Sequence, residues 1–119
     1  MKRMAKRVVE LVLNVPVTHE EEKGWALRPI TDFFDEEDKA RGWTTGKKLA
    51  DRPELVSDTA ERDSEWACQK GIPPETNWVL FVSKDGIWYV YRDGDRLNRR
   101  CYVLGDTFSG ICWVACPRK

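Results

Sequence analysis

The 119-residue chain carries no net charge, because twenty acidic and twenty basic side chains cancel. No molecule-wide field draws it toward a nucleic-acid backbone or an anionic bilayer, so any such attraction has to be local. It has no apolar run approaching the ~20 residues that span a membrane, and no membrane partner is expected. There is one histidine, His19, followed by Glu20, Glu21 and Glu22, with no second histidine to complete a His-Glu-x-x-His zinc pair. No local nucleophile motif surrounds Ser57, Ser64, Ser83, Ser109 or the cysteines, which leaves histidine-assisted nucleophilic catalysis without an anchor.

Two stretches approach a binding motif and fail on chemistry. Gly105 and Gly110 have the first glycine spacing of a phosphate-binding loop, but Ile111 and Cys112 stand where Lys and Ser or Thr are required. Residues 93–98, DGDRLN, begin like a calcium loop, yet Leu97 takes a ligand position and Asn98 replaces the turn glycine. Cys68, Cys101, Cys112 and Cys116 are not set in close pairs. Cys112 and Cys116 read as four apart on one strand, about 13 Å from each other along it, too far for one metal ion. No cofactor and no metal site is expected, and the cysteines read as buried, reduced thiols. The basic start MKRMAKR is followed by an apolar stretch broken by Glu10 and Asn14 with no small-residue cleavage site, so it reads as mature, cytoplasmic protein.

What is present is a globular composition, 41% hydrophobic and 34% charged, with six Trp. A chain of this length is most simply one domain, residues 1–119, able to bury roughly two-thirds of its unfolded surface. From Val9 to Val17 every odd residue is apolar, which predicts a strand ending near Pro16 and followed by a solvated turn at HEEEKG. The middle of the chain predicts short helices. One is capped at Thr31 or Asp32 and runs to Arg41 with Gly42 beyond it; Asp51 and Glu54 have capping-box spacing; a third segment, capped at Ser57, runs to Lys70 and stops at Gly71. Beyond Pro73-Pro74 come four apolar runs at 78–82, 87–91, 101–104 and 111–115, separated by turn residues. The expected fold is α+β: an antiparallel sheet of about five strands, made of the N-terminal strand and a C-terminal meander, with two or three short mid-chain helices on one face.

A two-residue turn at Asp85-Gly86 would put Trp78, Leu80, Val82, Tyr89 and Tyr91 on one face, and Val79, Phe81, Trp88 and Val90 on the other. Neither face is polar, so both need cover. Either residues 18–56 fold back over the second face, or part of it stays open as a contact surface, where Trp and Tyr are enriched. Charge is also uneven. Residues 51–75 hold seven acids against three bases, and residues 76–119 hold seven bases against four acids.

The candidate binding surface is therefore Trp78, Trp88, Tyr89, Tyr91 and Tyr102 with Arg92, Arg96, Arg99 and Arg100. A secondary candidate is Trp66 with Glu61 and Glu65 on the acidic helix, whose carboxylates could do acid–base work only in a cleft that shifts their pKa. The expected function is non-enzymatic binding of another protein, as an inhibitor or adaptor. Immunity proteins and phage anti-defence proteins share this size and poverty of motifs, an analogy of scale and not of residues. The alternative is a single-stranded nucleic-acid binder that stacks bases on the sheet aromatics and holds phosphates with the arginine-rich hairpin. Self-association through the sheet is a further expectation.

Overall fold

A computed structural model describes residues 11–18, 21–74 and 76–117, and its architecture is α+β. Strand β1 (Leu11–Thr18) follows from the period-2 pattern; Val9 lies outside the described residues. It pairs antiparallel with β2 (Glu21–Pro29), with a register irregularity between Pro16 and Thr18. Strand β2 corrects the reading of HEEEKG as a solvated turn, though His19 and Glu20 themselves lie outside the described residues. Glu22, Lys23 and Gly24 have little strand propensity, but β1 lies beside them at Pro16, Val15 and Asn14 and supplies the ladder.

The mid-chain pieces are shorter than their sequence signals. A 3-10 turn (Ile30–Phe33) precedes α1 (Glu36–Arg41), which is capped at Asp35 and not at Thr31 or Asp32. The Asp35 carboxylate accepts from the Asp38 amide at 2.8 Å and Asp38 reciprocates at 3.2 Å, a closed capping box. Gly42 ends α1 in the left-handed region, φ 85°, as its position foretold. Strand β3 (Trp43–Thr45) and α2 (Gly46–Ala50) follow, and the region around Asp51 and Glu54 is turn, not helix. The longest helix, α3 (Ala60–Lys70), starts after Thr59 and stops at Gly71.

Strands β4 (Trp78–Val82), β5 (Ile87–Asp93), β6 (Arg96–Tyr102), β7 (Thr107–Ser109) and β8 (Trp113–Pro117) complete the chain. The main sheet has the order β1-β2-β8-β4-β5-β6, with β8 parallel to β4 and every other pair antiparallel. It is six-stranded, and its C-terminal strands are not a simple meander. Strand β7 leaves to pair with β3 in a separate two-stranded ladder, and the chain returns as β8 between β2 and β4.

Turn chemistry set the faces correctly and the register wrongly. Val82 and not Lys84 pairs with Ile87, because Ser83 to Gly86 form a four-residue loop closed by the Ser83 amide donating to the Gly86 carbonyl at 3.0 Å. The shift is two residues, and since side chains alternate with period two, every ring stays on its expected face. Val79, Phe81 and Val90 face α3 together with Trp25, Leu27, Ala60 and Ala67. Leu80, Val82, Ile87 and Val114 face Ile30, Phe33, Phe34, Leu49, Leu55 and Phe108. The helices thus divide between the faces, α3 on one and residues 30–56 on the other. The mid-chain segment does fold back as cover.

Candidate functional site

That cover stops short of one end of the sheet. Trp78 opens β4 and pairs with Tyr91 on β5; Leu80 pairs with Tyr89; Tyr89 in turn pairs with Arg100 on β6. Trp78, Tyr89 and Tyr102 pack half-buried against the second apolar cluster, and Tyr91 lies beyond it, stacked on Tyr89 with centroids 5.5 Å apart and planes at 25°. Tyr102 meets Tyr89 edge-on at 5.5 Å and Phe108 edge-on at 5.9 Å, so each of the three tyrosine rings is held by another ring. The result is an open cleft of about 360 Å³ between the sheet floor of Trp78, Tyr89 and Tyr102 and a wall of residues 106–109 and 111–112. Ile111 stands on that wall with 63% of its surface exposed.

The wall is fixed by backbone. Strand β7 is laddered to β3 through Thr44↔Phe108; the Gly46 amide donates to Asp106 O at 3.0 Å, the Lys47 amide to Leu104 O at 2.8 Å, and the Gly110 amide to Gly42 O at 3.1 Å. A Cβ on Gly46 would stand 3.1 Å from the Leu104 backbone and 3.0 Å from Ile87, so any other residue would push α2 or the Leu104 backbone back by a few tenths of an ångström. Within the cleft, burial pushes the Cys112 thiol up to about 11, and burial, followed by the neighbouring Cys112 and Tyr102, raises the Tyr89 phenol. Both stay neutral at physiological pH. Arg100 lies exposed on the rim, its guanidinium 5.8 Å from the Tyr91 ring centre, and hydrogen bonding to Tyr91 stabilises its charge further.

Not all of the residues expected in the site come together. Trp88 faces α3, under the Arg99 guanidinium at 4.5 Å. Arg99 also donates to the Glu61 carbonyl at 2.8 Å and to Ser64 Oγ at 3.1 Å, and Arg92 donates to the Ile72 carbonyl at 3.2 Å. These three side chains fasten α3 and the segment after it to the sheet. Arg96 and Arg100 are exposed on the other face. The arginine group is split by strand alternation: Arg92 and Arg99 fall on one face, Arg96 and Arg100 on the other. Neither a protein-family model, a curated protein nor a solved structure matches the chain. Its function must be read from this geometry alone.

The secondary candidate also separates. Trp66 packs half-buried against the α3-side cluster, whereas Glu61 and Glu65 are exposed beside Asp58, Thr59 and Arg62 in a shallow depression. Sequence reasoning missed the cleft wall, Asp106, Phe108, Ile111 and Cys112. The one available signal was Ile111, an apolar residue next to a Ser-Gly turn, which reads equally well as the start of a strand. All four cysteines are free thiols, Cys112 buried, Cys68 and Cys116 partly so and Cys101 exposed. Among the described residues no group of His, Cys, Asp and Glu is placed to hold a metal ion, and no helix is long and apolar enough to cross a membrane.

Proposed function

We propose that the protein is a non-enzymatic module that binds another protein, as an inhibitor or adaptor in the reducing cytoplasm, and that the aromatic cleft at the open end of the sheet is its contact surface. The single observation that carries this reading is the cleft itself: three half-buried rings and an exposed isoleucine around about 360 Å³, on a backbone that is hydrogen-bonded into place. Rings held by other rings lose little freedom on binding, which is the property that makes Tyr and Trp effective anchors. The four free thiols fit a reducing compartment.

Nucleic acid is the less well supported partner. Arg92 and Arg99 are committed to backbone carbonyls and Ser64, so two arginines, Arg96 and Arg100, remain for phosphates on the aromatic face, and Asp106 sits in the cleft. Two phosphate contacts give weak, shallow salt dependence. The test is capture from the native cell with the wild-type chain and with Ile111→Asp, together with oligonucleotide titration. The reading expects a protein retained by the wild type and lost by the variant, whose fold is unchanged because Ile111 is exposed. A salt-dependent quench of Trp fluorescence by oligonucleotide, with no protein captured, would replace it with the nucleic-acid reading.

A further inference from the structure

The two edges of the main sheet differ. Edge strand β1 carries Pro16 and a register irregularity, both of which spoil an edge for further pairing. Edge strand β6 pairs with β5 without interruption from Arg96↔Asp93 to Tyr102↔Ile87, contains no proline or bulge, and among the described residues has no strand on its outer side. Its hairpin turns on Gly94, φ 68°, and Asp95, and the closing pair of a two-residue hairpin is hydrogen-bonded. Alternation then turns the amides and carbonyls of Leu97, Arg99 and Cys101 outward. Two contacts agree with that parity. The Arg92 amide, opposite Leu97, donates the other way, to Asn77 O at 3.0 Å, and the outward Leu97 carbonyl is met by the Cys68 thiol at 3.4 Å. Among the described residues no sheet partner meets the outward groups of Arg99 and Cys101.

Charge sorts what can pair there. An antiparallel second copy on this edge sets Arg96 opposite Arg100, Arg99 opposite Arg99 or Arg100 opposite Arg100 in its three central registers, so the arginines oppose self-pairing. They favour an acidic strand, and only in one phase. On the cleft side the flanking residues are Arg96, Asn98, Arg100 and Tyr102; on the α3 side Arg99 is already hydrogen-bonded to the Glu61 carbonyl and Ser64, and Cys101 is bordered by Asp58, Glu61 and Asp85. An incoming acid is attracted on the first face and repelled on the second.

We propose that β6 accepts an extended segment of a partner protein as a seventh strand, hydrogen-bonded to Arg99 and Cys101, with two carboxylates four residues apart facing Arg100 and Arg96 and an apolar side chain beside Tyr102 entering the aromatic cleft. This deepens the protein-binding reading and rests on it. In an antiparallel arrangement the apolar residue precedes the first acid by two positions and the second acid follows four later, a spacing of about 13 Å along the strand. Main-chain bonds supply the affinity, and the alternating side chains the choice of partner.

The experiment uses the full chain, labelled with ¹⁵N, and a seven-residue capped peptide with Phe first, Glu third and seventh, and Thr elsewhere. Binding is expected to slow exchange of the Arg99 and Cys101 amides and to shift the Trp78 indole signal. The same peptide with Lys in place of Glu should bind about tenfold more weakly or worse, as like charges then face each other. Cys101→Pro removes one outward donor while leaving the β5 ladder intact, and should weaken binding of the Glu peptide. Equal binding of the Lys peptide overturns the proposal, as does the absence of any response to the Glu peptide. A shift at Trp78 without protection of Arg99 and Cys101 also overturns it, while leaving the cleft standing as a binding site.

Discussion

At the residue scale the clearest assignments are the charged side chains that turned out to be structural. Lys48 donates to Asp35 at 2.7 Å and to Glu37 and Asp38 at 3.2 Å, and Arg41 donates to Asp38 at 2.8 Å while lying 3.7 Å from the Trp43 ring centre. The run of acids at 35–38 is the capped start of α1, fastened to α2 by one lysine. The hydrogen bond from Lys48, followed by that from the Asp38 amide, lowers the Asp35 pKa from 3.8 to about 2. A depressed carboxylate contributes stability that is complete above its unfolded value and is lost as pH falls through its folded value. Between about pH 4 and pH 2 the wild type should therefore lose stability more steeply than Lys48→Met, as read from urea midpoints at each pH. Arg99→Ala should destabilise by about 1–2 kcal/mol in the same assay, since it deletes two hydrogen bonds from a charged donor to α3. Burial holds the Cys112 and Cys116 thiols at about 11, so a thiol reagent at pH 8 should label exposed Cys101 ahead of both and reach buried Cys112 only on unfolding.

At the element scale the close approach of α2 to the loop after β6 decides whether the cleft has a wall. Gly46→Ala puts a methyl carbon 3.1 Å from the Leu104 backbone, which cannot swing aside as a side-chain end would. The expected result is a loss of about 1–3 kcal/mol in denaturant melts. Strand faces were legible in the sequence because hydrophobic period is a local property. The identity of β2 was not, since Glu22 to Gly24 become a strand only when β1 lies beside them. The splitting of Arg92, Arg96, Arg99 and Arg100 could have been foreseen. Gly94-Asp95 is a two-residue turn, and once Asp93 pairs with Arg96, parity alone sends Arg92 and Arg99 to one face and Arg96 and Arg100 to the other.

At the scale of the whole molecule, an apolar sheet is covered on both faces but unevenly. Helix α3 closes one face over Phe81, which meets Trp25 edge-on at 5.5 Å. Phe81→Ala should cost about 3–5 kcal/mol, the range for a buried ring, with no selective effect on partner binding. Residues 30–56 close most of the other face and leave the cleft. Ile111→Asp, at an exposed position outside both packed clusters, should leave the melting transition within about 0.5 kcal/mol and act on binding alone. Those two variants separate the stability of the sheet from the use of its open end.

By itself the sequence determined the class of fold, strands β4 and β5 and the face that each of their rings takes, because hydrophobic period and turn residues act over a few positions. Only the tertiary structure decided how far the cover extends, which arginines are consumed and which sheet edge stays unpaired. Those outcomes depend on chain segments far apart in sequence, such as Gly46 against Leu104 and Glu61 against Arg99, whose meeting no local pattern records.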